Sequence, residues 1–204
     1  MKLPGLAPAA FATFATVLTL GLADPAPAQK PEAPKIGAVA PDFTLPPAAG
    51  GAPVALKDLL AKSKAVVVIF DATKCPYAKG YKERVATMGK EYAGKGVAFV
   101  TINSNKTEPA AEVAEDAKKH GFAFPVLKDE GNKVADLYAA QKTPEIYVLD
   151  PKGTLLYRGR IDETHEDPKN VKSPDLRNAL EAILAGKPVP AAETKAFGCS
   201  IKRV

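Results

Sequence analysis

Five consecutive apolar residues, Val66-Val67-Val68-Ile69-Phe70, constrain the fold of this chain more than any other stretch. Because β-branched and aromatic side chains follow one another without a polar break, the run predicts a strand that is buried on both faces. Strands of this kind lie at the centre of sheets that carry helices on both sides. The run therefore predicts the interior of an α/β domain.

Strand and helix patterns alternate after this run. A helix is predicted from about Pro76 to Ala93, because apolar side chains recur on one helical face and proline suits a first turn. Further strands are predicted at 96–103, 125–127, 145–150 and 154–162, and further helices at 107–120, 132–140 and 175–185. Thr107 and Ser173 are the predicted caps of two of these helices. Early alternation and a late hairpin predict an α/β fold, a mixed central sheet with helices on both faces.

The N-terminus carries the pattern of a secretory signal. Lys2 precedes a dozen apolar residues at 11–22, and small residues follow at Ala26-Pro27-Ala28. We predict a signal peptide over residues 1–28 and an exported protein, periplasmic or secreted. An uncleaved anchor is the alternative, and this segment would then be the only contact with a membrane.

Three regions follow the signal. Residues 29–40 are rich in proline and alanine and are predicted to be a flexible leader, 41–186 a single domain, and 187–204 a C-terminal tail. The net charge of +5 is spread along the chain, and no basic run carries interleaved aromatics, so nucleic acid is not an expected partner. No nucleotide-binding loop is present, and no cofactor is expected.

Cys75 lies in the loop between the buried strand and the helix. A helix N-terminus offers free N–H groups and partial positive charge, which stabilise a thiolate and lower the pKa of a thiol. Cys75 is therefore a candidate nucleophile, and a buried, inert cysteine is the alternative. Ala72 and Ala78 leave no second thiol nearby, so Cys199 is the remaining candidate partner. A resolving thiol, a structural disulfide and an unpaired cysteine all stay open for Cys199.

Several motifs together resemble the thioredoxin-like redoxins. They are "APDFTL", the strand followed by "KCPY", "TPEIYVLDPKGTLLYRGRID" and "FGCSIK". The resemblance spans residues 36–203 and is strongest to the peroxiredoxin-like branch of alkyl hydroperoxide reductases and thiol-specific antioxidants. It implies a thioredoxin fold, a reactive Cys75 and a cis bond at Thr143-Pro144.

The resemblance also implies a function. Cys75 would carry out thiol-dependent oxidoreduction with Cys199 as resolving thiol, on a thiol or disulfide protein partner or a small hydroperoxide. Substrate would meet Pro76, Tyr77 and the Thr143-Pro144 edge.

The chain departs from the peroxiredoxin pattern at the peroxide site. Val68 and Ala72 stand where peroxiredoxins carry proline and threonine, and Pro144 stands where they carry a supporting arginine. Arg84, Arg158 and Arg160 are the arginines that would have to substitute in space. These departures favour thiol–disulfide exchange over hydroperoxide reduction, which becomes the weaker alternative.

A non-enzymatic module is the other alternative. It would be redox-inert, or it would handle copper through ligands drawn from Cys75, Cys199, His120, His165 and Met88. The spacing of these residues matches no metal motif, and no metal site is predicted.

Overall fold

The computed structural model describes Met1 and residues 32–204. The predicted signal peptide and the first residues of the predicted leader lie outside the described part, apart from Met1. Within 32–204, no helix combines the length and the apolar character that crossing a membrane requires. The strands are β1 (Thr44–Leu45), β2 (Val54–Ala55), β3 (Ala65–Asp71), β4 (Val97–Asn103), β5 (Val126–Lys128), β6 (Lys142–Thr143), β7 (Glu145–Leu149), β8 (Leu155–Gly159) and β9 (Cys199–Ser200). The helices are α1 (Leu56–Leu60), α2 (Pro76–Ala93), α3 (Ala110–Lys119), α4 (Lys133–Leu137) and α5 (Asp175–Leu184).

The central sheet has five strands in the order β5-β4-β3-β7-β8. β3 is parallel to β4, and β4 to β5, while β7 runs antiparallel to both β3 and β8. The apolar run lies in β3, at the middle of the sheet, and Val66 to Phe70 are all buried. The predicted mixed central sheet is confirmed.

Two apolar cores cover the two faces of the sheet because successive side chains of β3 point in opposite directions. Val66, Val68 and Phe70 pack with residues of α1 and α4 on one face. Val67 and Ile69 pack on the other face with residues of α2 and α5. Helices therefore lie on both faces, as predicted.

Two predicted helix caps are wrong. α3 begins at Ala110 after Pro109, and α5 begins after Pro174, with no side-chain cap in either case. Thr107 lies outside α3 because the next residue, Glu108, turns inward and bonds to the loop before Cys75. Ser173 instead donates its hydroxyl to an Asp175 carboxylate oxygen at 2.7 Å.

The end of the segment predicted as a leader is hydrogen-bonded to the β7–β8 hairpin. Gly37 N–H donates to Leu155 O at 2.8 Å, and Leu155 N–H donates to Ala38 O at 2.9 Å. These bonds cover the outer edge of the sheet, where unpaired backbone groups would otherwise invite association.

Candidate active site: two thiols at the end of the central strand

Cys75 is the N-cap residue of α2, four residues after the end of β3. Its sulfur accepts a hydrogen bond from Ala78 N–H at 3.5 Å, and Pro76 occupies the first turn of the helix. The N–H groups of a first turn have no partner within the helix, so a thiolate at this position satisfies one of them. The loop thus places the sulfur where ionisation is favoured.

The Cys75 thiol is 4% exposed. Burial on its own raises the pKa of Cys75, but hydrogen bonds from the Cys199 thiol and from Ala78 N–H outweigh it, so the pKa is lowered from 9.0. In its protonated form the thiol donates to Thr143 O at 3.2 Å. Cys75 is therefore more easily ionised than an ordinary cysteine and remains shielded from solvent.

Cys199 reaches the same place from the far end of the chain. β9 pairs antiparallel with β6, and this register sets Cys199 opposite Thr143. The Cys199 thiol is half-buried and packs against the small apolar cluster around Cys75. Burial, followed by the hydrogen bond to Cys75, raises the pKa of Cys199 to about 11. Both cysteines are free thiols in this structure.

A cavity of about 110 Å³ opens beside the two sulfurs. The Thr143 hydroxyl is buried and, within the described part of the chain, has no hydrogen-bond partner. The cavity is lined by Ala72, Lys74, Cys75, Asn105, Thr107, Glu108, Thr143, Cys199, Ser200 and Lys202. Both candidate thiols thus border one small cavity.

The other predicted site residues lie around the thiol pair. The Thr143-Pro144 peptide bond is cis. Pro76 is exposed, and neither it nor Pro144 lines the cavity. Tyr77 is 36% exposed, and its ring lies 4.2 Å from the His165 ring, centroid to centroid. Tyr77 is also outside the cavity lining, and its ring contacts Phe197 of the tail.

Glu108 is a site residue that the sequence analysis missed. Its carboxylate accepts the backbone N–H groups of Thr73 and Lys74, each at 2.9 Å, and the Asn103 side-chain amide at 2.6 Å. Burial raises the pKa of Glu108, but the bonds from Asn103 and Thr73 dominate and lower it from 4.5. The carboxylate therefore stays charged and fixes the loop that carries Cys75. A polar cluster at the carboxyl end of β4 was the signal available in the sequence, because strand ends are where sites form in such sheets.

Asn105 links this loop to the C-terminal tail. Its side-chain oxygen accepts Lys202 N–H at 2.7 Å, and its amide donates to Glu108 at 3.3 Å. Lys106 N–H in turn donates to Lys202 O at 2.9 Å. One buried polar network therefore holds both segments that carry a cysteine.

Comparison with known proteins identifies the family. The AhpC/TSA family matches residues 36–158, which is more than half of the chain. The chain belongs to the AhpC/TSA family. The solved structure of a hypothetical protein, SMc02350 from Sinorhizobium meliloti 1021, is 35% identical, with a TM-score of 0.78 over 85% of this chain and 97% of that one.

More distant relatives extend the comparison. A putative thiol:disulfide interchange protein DsbE from Chlorobium tepidum is 23% identical, with a TM-score of 0.61 over 74% of this chain and 99% of that one, and this likeness shows the thioredoxin fold. A thiol-disulfide oxidoreductase ResA from Oceanobacillus iheyensis is 31% identical over 59% of this chain. The chain spans 62% of that relative's length.

The arginines that would support a peroxide site in this AhpC/TSA member have other partners. Arg84 pairs with Asp162, and Arg158 pairs with Glu145. Arg160 pairs with Asp175 at 2.6 Å. None of the three hydrogen-bonds to Cys75 in the described residues. Arg84 lines a larger cavity of about 350 Å³, which shares no lining residue with the thiol cavity.

Apart from Cys75 and Cys199, which are in contact, the residues considered for copper have other neighbours in this AhpC/TSA chain. His120 Nε2 lies 3.5 Å from an Asp116 carboxylate oxygen, and the His165 ring packs on Tyr77. Within the part of the chain that the structure describes, no group of three or more His, Cys, Asp or Glu side chains is placed to hold a metal ion.

Proposed function

We propose that this chain is an exported thiol–disulfide oxidoreductase in which Cys75 is the nucleophile and Cys199 the resolving thiol. The observation that carries the proposal is the contact between the two thiols. Burial raises the pKa of both, but the bond from Cys199 helps to lower the pKa of Cys75, whereas the bond to Cys75 adds to the raised pKa of Cys199. Opposite shifts give the two sulfurs different roles, because only a thiolate attacks a disulfide. The relative named thiol-disulfide oxidoreductase ResA supports the same activity.

The reaction begins at Cys75. Its thiolate attacks one sulfur of the substrate disulfide, forms a mixed disulfide, and releases the other half as a thiolate. Cys199 loses its proton to solvent and attacks the Cys75 sulfur, which forms the Cys75–Cys199 disulfide and releases the second thiolate. Two electrons pass from the cysteine pair to the substrate. The reverse sequence oxidises a dithiol.

Cys199 becomes easier to ionise after the first step. Burial contributes most to its raised pKa, and the remaining increase comes from the hydrogen bond and the charge of Cys75. Once Cys75 is bonded to substrate, its negative charge is gone, so the pKa of Cys199 falls towards its ordinary value. The resolving thiol is thus activated when it is needed.

The neighbouring residues have supporting roles in this proposal. Thr143 borders the reacting sulfur through its carbonyl oxygen. Pro144, which follows it, and Pro76 and Tyr77, in the first turn of α2, are proposed to contact substrate outside the cavity. Export rests on the signal pattern of residues 1–28.

Hydroperoxide reduction is the second candidate, and it is favoured by Thr143, a residue that lines the thiol cavity and whose buried hydroxyl has no hydrogen-bond partner in the described residues. A Cys75 thiolate that attacks the O–O bond would become a sulfenic acid and release an alcohol. Cys199 would then condense with the sulfenic acid, forming the disulfide and releasing water. Because the three arginines are paired elsewhere, the site offers few hydrogen-bond donors to the departing oxygen of a hydroperoxide. Disulfide exchange releases a thiolate and does not need these donors.

Single-turnover assays with bis(2-hydroxyethyl) disulfide test the main proposal. We expect Cys75→Ser to release no 2-mercaptoethanol above background. We expect Cys199→Ser to release one equivalent and to accumulate a mixed disulfide on Cys75, identified by mass spectrometry. Turnover of Cys199→Ser at the wild-type rate would refute the resolving role. Replacing the disulfide with hydrogen peroxide in the same assay tests the second candidate.

A further inference from the structure

The strand edge next to the Cys75 sulfur is already occupied. In the described chain β6 pairs only with β9, in a two-stranded sheet. Thr143 in β6 is the residue whose carbonyl faces Cys75, at 3.2 Å from the sulfur. An extended peptide docks on a sheet by adding a strand to a free edge. Here the chain's own tail supplies that strand, and it sets Cys199 opposite Thr143.

The tail fits this edge too closely for a second peptide to share it. Gly198 has φ +140°, and a Cβ atom at this position would lie 2.1 Å from Thr143 O. Such a contact is far below any van der Waals separation, and the neighbour is backbone that cannot rotate away. Only glycine allows the tail to pass Thr143 at this distance.

Contacts on both sides of Cys199 hold the tail in place. Upstream, Thr194 N–H donates to Arg158 O at 2.9 Å. Downstream, Ile201 is buried and its N–H donates to Gln141 O at 3.1 Å. Arg203 then bonds to Asp136 at 2.9 Å. Because the tail is fixed before and after β9, the edge stays covered while Cys75 is reduced.

We propose that the covered edge restricts this centre to small, non-peptidic disulfides, and that protein disulfides react only when the tail leaves β6. The inference rests on the proposed function and adds its substrate class. Each cysteine of a protein disulfide lies within a peptide chain, which has to pair with the edge of β6 to bring its sulfur to Cys75. A small disulfide has no such chain and needs only a path to the Cys75 sulfur. The cavity of about 110 Å³ supplies that path. It is well below the roughly 300–1,000 Å³ of sites for drug-sized ligands, and it excludes a protein loop.

The electron count is that of the proposed function. A small disulfide RSSR takes two electrons from Cys75 and Cys199 and leaves as two RSH molecules. The two released thiolates take up protons from solvent, which has already received the protons of Cys75 and Cys199, and the Cys75–Cys199 disulfide remains. No further reactant is needed.

The test measures how fast reduced Cys75 is consumed by bis(2-hydroxyethyl) disulfide and by insulin, with acid quench and alkylation. Gly198→Ala is the variant that displaces β9 from β6. Gly186→Ala is the matched control, because Gly186 also has positive φ (+65°) but a Cβ atom there meets nothing within 4 Å. Arg203→Ala is a second, milder variant that removes a surface contact of the same tail. Hydrogen exchange of residues 197–202 reports whether the tail has moved.

We expect Gly198→Ala to raise the rate with insulin at least tenfold more than the rate with the small disulfide. Arg203→Ala should show the same trend to a smaller extent, and Gly186→Ala should match the wild type with both substrates. A displaced tail with no selective gain for insulin would overturn the inference and leave the proposed function standing. A wild-type chain that reacts with neither substrate would overturn both.

Discussion

The two segments that carry the cysteines are built in different ways. Cys75 lies between a buried strand and the helix that it caps, and a buried carboxylate fixes the loop between them. Cys199 lies in a two-residue strand within a tail that side-chain bonds and backbone bonds hold in place. The comparison teaches that the positions of the two sulfurs have separate origins in this molecule. Regular structure fixes the position of Cys75, whereas bonds along the tail fix the position of Cys199, whose thiol helps to lower the pKa of Cys75.

The largest effect on stability is expected from removing the carboxylate that fixes the Cys75 loop. Glu108→Ala leaves the buried N–H of Thr73 and the amide of Asn103 without their acceptor. We expect a loss of about 3 kcal/mol in the free energy of unfolding, measured by urea denaturation. Glu112→Ala is the control, because Glu112 pairs with Lys74 at the surface and should cost less than about 1 kcal/mol. Equal losses would contradict the role assigned to Glu108.

The same carboxylate predicts an acid dependence. Its pKa is lowered in the folded chain, so the stability that it contributes is present above the ordinary glutamate value of 4.5. That stability is lost as the pH falls from 4.5 through the lower folded value. Urea midpoints between pH 7 and pH 3 should therefore decline for the wild type and decline less for Glu108→Gln. Parallel curves for the two proteins would argue against a charged Glu108.

Titration of the two thiols tests directly whether their pKa values differ. The pKa of Cys75 is lowered from 9.0, whereas that of Cys199 is about 11. We expect the half-maximal rate of iodoacetamide alkylation below pH 9 for Cys75, measured in Cys199→Ala and in the wild type by peptide mass spectrometry. The value in Cys199→Ala should be the higher of the two, because the thiol that donates to Cys75 is gone. Identical values would show that the helix end alone sets the pKa of Cys75.

A smaller effect on stability is expected from removing the buried hydrogen bond between Asn105 and the C-terminal tail. Asn105→Ala removes the acceptor of Lys202 N–H, a bond worth about 1 kcal/mol. The free energy of unfolding, measured by urea denaturation, should fall by about that amount. Asn170→Ala, in an exposed turn, is the control and should not change it. A lowered pKa of Cys75 should persist in both variants.

The smallest effect on stability is expected from an ion pair at the surface of the tail. Arg203 bonds to Asp136 at 2.9 Å with both side chains partly exposed. Such a pair contributes about 0.5 kcal/mol, so Arg203→Ala should lower the free energy of unfolding by about that amount. A change as large as that of Asn105→Ala would mean that the end of the chain, and not the buried network, holds Cys199.

The parts of this architecture that follow local patterns were predictable. β3 and α2 were located from an unbroken apolar run and from helical periodicity, and α2 has the predicted bounds of Pro76 and Ala93. Cys75 was located with them, because a strand end followed by a helix start is a local feature. The cis bond at Thr143-Pro144 followed from the family resemblance and not from residue patterns.

The rest of the site depends on contacts between distant segments. The polar cluster after β4 indicates a site, but it does not indicate that the Glu108 side chain turns towards Thr73, 35 residues earlier, instead of continuing a helix capped by Thr107. The pairing of Cys199 with Thr143 depends on a tail with almost no regular structure, so periodicity carries no information about it. Long-range polar contacts of this kind are fixed by the completed fold.

The arrangement of tyrosines around the site has an optical consequence. The chain has six tyrosines and no tryptophan, so its intrinsic fluorescence is tyrosine emission. Tyr81, Tyr92, Tyr138, Tyr147 and Tyr157 are buried, and Tyr77, two residues after Cys75, is the exposed one. A disulfide quenches the fluorescence of a nearby tyrosine. Formation of the Cys75–Cys199 bond beside Tyr77 should therefore lower the tyrosine emission, so that the redox state can be followed without a label.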